Sequence, residues 1–187
     1  MPAVNALKAF WLAYLSQPAS DRAIYRAIRR RKFRRIMEIG LGDGGRALRM
    51  IGLARRYWGA DEIRYVGVDL FEAGSAEAGP NLTLKQAHRL LRRTGVRSHL
   101  VPGDPFQALA RTANSLAGNE LVLISMREAA ESLERAWFYL PRMLAPEALV
   151  LVARPGDGSG EKEPVWQPVS RDEILALAAA ASRRRAA

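Results

Sequence analysis

A chain of 187 residues with 49% hydrophobic residues is long enough to bury a substantial core and has an ordinary globular composition. No apolar run approaches the roughly 20 residues that cross a bilayer, and the lack of cysteine excludes disulfides, thiolate metal ligands and a cysteine nucleophile. The net charge of +10 would suit nucleic acid, but all except four of the 29 basic residues are arginine, a skew that genomic base composition produces as readily as selection for phosphate binding.

The first stretch, MPAVNALKAFWLAYLSQPAS, holds Lys8 inside its apolar part and lacks the charge-first order of a secretory leader. It predicts a helix of the mature protein capped by Asn5, with Leu7, Phe10, Trp11, Tyr14 and Leu15 at helical spacing. Such a stripe most simply packs into a core; the alternative is a cap over a substrate. A second helix follows Ser20-Asp21, with Ile24 and Ile28 on one face. The cluster RRRKFRR at 29–35 falls where that helix hands over to a strand, and reads as a solvated end favoured by the helix dipole.

The strand RIMEIG then runs into four glycines within six positions, Gly40, Gly42, Gly44 and Gly45. Glycine loses the most backbone freedom on folding, so this density implies a tight turn or a close approach to another body. A helix over GRALRMIGLARRYW and a strand over IRYVGVDL (63–70) follow. GSAEAGPN reads as a loop, and a helix over 83–94 ends at Gly95. SHLVPGD is the third strand and PFQALARTANSLAG the helix after it. ELVLIS (120–125) is apolar throughout, as a strand covered on both faces should be.

Leu133, Ala136, Trp137, Leu140 and Leu144 give a helical stripe, kinked or ended by Pro141, that leads into the strand PEALVLVA. A loop, PGDGSGEKEP, a short edge strand, VWQPVS, and a last helix, RDEILALAAAA, complete the chain, with a frayed, charged tail at SRRRAA. This alternation predicts an α/β fold: a doubly wound, mainly parallel sheet with helices on both faces, shortened at the C-terminus. One domain is expected over 1–187, made of N-terminal helices (1–33), a ligand-binding core (34–153) and a short extension (154–187). In such sheets ligands bind beyond the carboxyl ends of the strands, where the glycine turn lies.

Gly40-Leu41-Gly42-Asp43-Gly44-Gly45 satisfies two patterns. As G-x-G-x-x-G it matches the dinucleotide fingerprint. As E-x-G-x-G-x-G from Glu38 it resembles motif I of the class I S-adenosylmethionine-dependent methyltransferases. A dinucleotide sets its pyrophosphate against the turn and the next helix N-terminus, where a carboxylate brings like charge. S-adenosylmethionine has no phosphate and carries cationic sulfonium and amino groups, so Glu38 favours it. The likeness spans about residues 20–153: VPGDPFQAL is similar to the family's Gly-Asp turn, and WFYLPRMLAPEALVLVA to its helix, turn and fifth strand.

The resemblance implies S-adenosylmethionine as cofactor, with Glu38, Gly40, Leu41 and Gly42 at its methionine end. It places Asp69 at the ribose and Asp104, Pro105 and Phe106 at the adenine, and adds Leu70, next to Asp69, and Ser125, at the end of the fourth strand, to the cofactor-binding residues. Each acid also has a plainer reading: Asp69 and Asp104 as strand-end caps, Glu38 as the partner of a nearby arginine. DLFEAG is similar to the D-x-F-x-G of the macrocin O-methyltransferase-like branch, which binds a metal through acids after the fourth and fifth strands. Here Ser125-Met126 and Ala153-Arg154 stand at those places, with Asp157 further out, so no metal site is expected.

No general base stands out, and the catalytic residues are left unassigned. His88 lies among Leu84, Ala87 and Leu91 and reads as a partly buried structural residue; His99 lies early in a strand, away from the ligand edge. There is no N/D-P-P-Y tetrapeptide of the kind carried by the amino-methylating nucleic-acid enzymes of the class. The expectation is a cytoplasmic, metal-independent methyltransferase-like protein acting on an unidentified small or macromolecular acceptor. No membrane is expected, and a partner subunit is one way to cover the last strand. The alternatives are a non-catalytic binding or assembly module of the same fold and, more weakly, a basic nucleic-acid-binding protein.

Overall fold

The computed structural model describes residues 3–74, 82–125, 130–155 and 164–186. Two helices come first, α1 (Ala6–Tyr14) and α2 (Arg22–Arg31). Then follow β1 (Arg35–Ile39), α3 (Gly45–Ala54), β2 (Arg64–Asp69), α4 (Leu84–Arg92), β3 (Arg97–Pro102), α5 (Pro105–Thr112) and β4 (Asn119–Ile124). The chain continues through α6 (Ala130–Ala136), α7 (Leu140–Met143), β5 (Leu144–Arg154), β6 (Val165–Val169) and α8 (Arg171–Ala186). The six strands form one sheet in the order β3-β2-β1-β4-β5-β6. The first five are parallel and β6 runs antiparallel to β5.

Period-two alternation sends successive residues of each strand to opposite faces. Ile36, Tyr65, Leu121 and Leu123 pack under α1 to α4, while Met37, Ile39, Val66, Val68 and Val122 pack under α5 to α8. Both faces being covered, the central strands can be almost wholly apolar. The strand order reverses between β1 and β4, the point at whose carboxyl ends open α/β sheets generally hold their ligands. The doubly wound, mainly parallel architecture expected from the sequence is present. Residues 75–81 and 156–163, on which most of the two expected loops fall and which include Asp157, lie outside the described residues, as does Met126.

Two local expectations are corrected. The side chain of Asn5 does cap α1, accepting the Lys8 N–H at 2.8 Å. The buried face of that helix, however, is Ala9, Leu12 and Ala13, while Leu7, Phe10, Trp11, Tyr14 and Leu15 are between 44% and 77% exposed. Both sets have helical spacing; the small residues face inward because α1 packs against α2 and joins the core beside α3. Of the two alternatives at Pro141 the helix is interrupted rather than kinked, but ahead of the proline: α6 ends at Ala136, and Pro141 occupies the first turn of α7, where its missing N–H costs nothing. Pro168 sits in β6 opposite Leu151, tolerated because β6 is an edge strand.

Candidate functional site

The glycine turn joins the buried end of β1 to α3. Gly40, Gly42 and Gly44 all have positive φ (88°, 58° and 72°), which side-chain-bearing residues rarely adopt. A Cβ added at Gly44 would also lie 2.5 Å from Leu90 and 2.9 Å from Leu82 of the α4 region, so this glycine lets the turn pack beneath α4. A Cβ added at Gly42 would meet nothing within 4 Å; that side of the turn opens onto free space at the strand ends.

The backbone donors of the turn are almost all spent internally. Gly40 N–H donates to the Val68 carbonyl and Gly44 N–H to the Leu41 carbonyl. Leu41 N–H and Gly42 N–H (3.1 Å) both donate to Oδ2 of Asp69, and Gly45 N–H donates to Oδ1 of Asp43 at 2.9 Å. Asp69, 7% exposed, also accepts Phe71 N–H on Oδ1 at 3.2 Å. Its carboxylate therefore clamps the turn and keeps one lone pair of Oδ1 for a further donor. Leu70 leads from Asp69 into a short 3-10 turn, Phe71–Ala73.

Glu38 lies beneath the turn, fully buried. Its Oε1 accepts Nε of Arg46 at 2.6 Å, and its Oε2 accepts the hydroxyl of Tyr65. Gly67 makes room for Leu100 and for that tyrosine, since a Cβ there would lie 2.8 Å from the Leu100 side chain and 3.3 Å from the Tyr65 ring. Arg46 reaches from the first turn of α3 and donates to the Gly40 carbonyl and to Oγ of Ser125, both at 3.0 Å. It also stands 3.8 Å from Asp21 and 4.9 Å from the ring centre of Trp166, whose indole N–H donates to Asp21 at 3.1 Å. Ser125 Oγ donates back to the Gly40 carbonyl at 2.7 Å, stitching the end of β4 to the turn.

Glu38 was expected at the methionine end of a ligand, yet it is withdrawn under the turn and neutralised by Arg46, as its plainer reading had it. Arg46, Tyr65, Asp21 and Trp166 were not foreseen as members of this cluster. An acid inside an apolar strand was the available signal, because a buried carboxylate needs a cation or donors. The negative charge exposed at the turn is that of Asp43, just ahead of α3, while Asp69 is buried beside it with its carboxylate accepting three backbone N–H groups.

Burial raises the Glu38 carboxyl above its ordinary value, against the opposing pull of Arg46 and Tyr65, and burial beside Glu38 raises the Tyr65 hydroxyl as well. Between the unfolded and the raised folded value of Glu38, the native state holds more protons than the unfolded chain. Stability is therefore greatest below that window and falls as pH rises through it. Glu38→Gln removes this titration, so its melting temperature should vary less than that of the wild type as pH rises above the ordinary carboxylate range. Parallel curves would show that Glu38 ionises at its ordinary value.

After β3, Asp104 caps α5 by accepting Gln107 N–H at 3.1 Å, and the same Oδ1 accepts the hydroxyl of Ser132. Ser132 in turn accepts Phe106 N–H at 2.9 Å. Pro105 is buried at the first position of α5. The ring of Phe106 is covered on one face by the Arg135 guanidinium, 4.0 Å from its centre, and meets Tyr139 at 5.8 Å. The fold thus brings Gly40, Leu41, Gly42, Asp69, Asp104, Phe106 and Ser125 to neighbouring strand ends. His88 is exposed on α4, not partly buried, and His99 is exposed on the edge strand β3. Among the described residues no three His, Asp or Glu side chains form a group that could hold a metal.

No protein-family model matches the chain, and no curated protein matches it significantly. Solved structures do. The O-methyltransferase TomG from Streptomyces achromogenes, involved in tomaymycin synthesis and solved with S-adenosylmethionine, aligns with a TM-score of 0.51 at 17% identity, over 98% of this chain and 70% of that one. A protein from Klebsiella pneumoniae assigned as an O-methyltransferase aligns at 0.48 and 20% identity, over 98% and 70%. A Plasmodium falciparum protein assigned as a protein-L-isoaspartate O-methyltransferase, with S-adenosylhomocysteine bound, aligns at 0.49 and 11% identity, over 83% and 72%. The chain spans less than half the length of two other methyltransferases that it matches.

Proposed function

We propose that this chain, which has the Rossmann-like fold of the class I methyltransferases, binds S-adenosylmethionine at the glycine turn and serves methyl transfer to an acceptor without a metal. The observation that carries this reading is the spent state of the turn's amides. A dinucleotide pyrophosphate needs those N–H groups as donors. Here Leu41, Gly42 and Gly45 give theirs to carboxylates, so the turn offers anions little and cations a negative rim. With Glu38 neutralised, the preference for a positively charged sulfur nucleoside rests on the spent amides and on the exposed Asp43.

The residues fit the cofactor in kind. The open side of Gly42 admits its close approach, the remaining lone pair of Asp69 suits one ribose hydroxyl, and Oδ2 of Asp104 is left to accept the adenine amine. When bound, S-adenosylmethionine supplies an electrophilic methyl group. The chain's own part is to hold and orient: Asp69 fixes the turn, and Ser125 and Arg46 fix the Gly40 carbonyl. Phe106 borders the adenine side through its edge and its uncovered face. No described residue is assigned as general base.

Isothermal calorimetry with S-adenosylmethionine, S-adenosylhomocysteine and NAD tests this directly. Heat and thermal stabilisation with the two sulfur nucleosides and none with NAD are expected. Binding of NAD alone, or of none at millimolar ligand, would overturn the assignment.

A further inference from the structure

Large apolar side chains on a surface helix normally face inward, yet α1 turns five of them outward. Leu7, Phe10, Trp11, Tyr14 and Leu15 are 77%, 49%, 45%, 44% and 57% exposed. At about 200 Å² for a full large side chain they present roughly 500 Å², the size of patch that marks a binding surface rather than scattered exposure. The stripe is ordered, with Phe10 and Tyr14 rings 4.9 Å apart.

Cations adjoin it. Arg29 lies over the Tyr14 ring at 5.6 Å, and Tyr14, Arg26, Arg29, Arg30 and Tyr57 line a groove of about 190 Å³. Arg30 is exposed, as are Arg31 and Lys32, which follow it in the chain. On the same side of the sheet, Lys85, Arg89 and Arg92 of α4 line a wider groove of about 920 Å³. Among the described residues no carboxylate lines either groove.

We propose that the outer face of α1, with the arginines at the end of α2, docks this protein on the surface of an anionic membrane. An interfacial helix face needs leucine and aromatic side chains to enter the headgroup boundary and cations to meet the acidic lipids. Both are present and contiguous. Nucleic acid would match the arginines and aromatic rings but gives Leu7 and Leu15 nothing to pack against. A second copy would match the apolar stripe, but the patch falls short of the roughly 800 Å² per partner of a stable interface, and an isologous contact would bring two arginine clusters together. This docking is peripheral; no described helix is long and apolar enough to cross a bilayer.

The test is flotation of the full chain with vesicles of phosphatidylcholine alone and of equal parts phosphatidylcholine and phosphatidylglycerol. The wild type should float with the anionic vesicles only, and less as salt rises. Phe10→Ser/Trp11→Ser and Arg29→Glu/Arg30→Glu should each weaken that partitioning at least tenfold, about fivefold being expected for each arginine lost from an anionic surface. Neither pair belongs to the glycine-turn site, so thermal stabilisation by S-adenosylhomocysteine should be unchanged in both. Absence of flotation, equal flotation with neutral vesicles, or salt-sensitive binding of single-stranded RNA without flotation would each overturn the proposal. So would a wild-type dimer in sedimentation that Phe10→Ser/Trp11→Ser converts to monomer without any vesicle binding.

Discussion

Arg46→Met should lower the stability of the fold by about 3–5 kcal/mol, the cost of removing one partner from a buried charge pair. The substitution keeps much of the side-chain length but strands Glu38, which is fully buried, and leaves Asp21, nearly so, facing Trp166 and Tyr25 without its cation. For a chain of this size that corresponds to about 6–20 °C in melting temperature. Glu38→Met/Arg46→Met should recover part of the loss, because two apolar groups no longer leave a charge uncompensated. Thermal unfolding of the two single variants and the double variant, read as a double-mutant cycle, measures the coupling. A loss below about 1 kcal/mol in Arg46→Met would mean that the pair behaves as a solvent-screened surface bridge.

Asp69→Ala should weaken S-adenosylhomocysteine binding by roughly 10- to 100-fold, or about 1.4–2.8 kcal/mol. Two losses add in this variant. The ribose acceptor disappears, and Leu41 and Gly42 N–H lose the carboxylate that holds the turn in shape. The freed amides would also become donors for phosphate, so the same variant should gain whatever weak affinity for NAD the wild type lacks. Calorimetry with both ligands reads both effects. Unchanged affinity for S-adenosylhomocysteine would show that Asp69 neither accepts the ribose nor shapes the turn for this ligand.

The sheet was legible because its strands are short apolar runs spaced by helical segments, and because Gly40 to Gly45 can stand only at a bend. The strand-end positions of Asp69 and Asp104 followed from the same spacing. Their hydrogen bonds did not, because a carboxylate at a strand end serves a ligand, a helix cap or a turn with the same letter. Asp104 shows the cap, and Asp69 the clamp. Glu38 was misplaced for a different reason. Its partners Arg46, Tyr65 and, through Arg46, Trp166 come together only when β1, α3, β2 and β6 are packed, and no local pattern encodes that meeting. The α1 stripe failed through ambiguity: two sets of residues share one period, and only the contacts with α2 choose between them.

Trp166 adds an ordering in time. The bend that would receive the nucleoside is complete in sequence by residue 45, but the cation beneath it acquires its aromatic floor, and Asp21 its indole donor, only from a strand 145 residues downstream of Asp21. During synthesis, which runs from the N-terminus, the sheet's first parallel pairs can assemble well before that strand emerges. The support beneath the bend should therefore be completed late, and an unfinished chain would carry the bend without it.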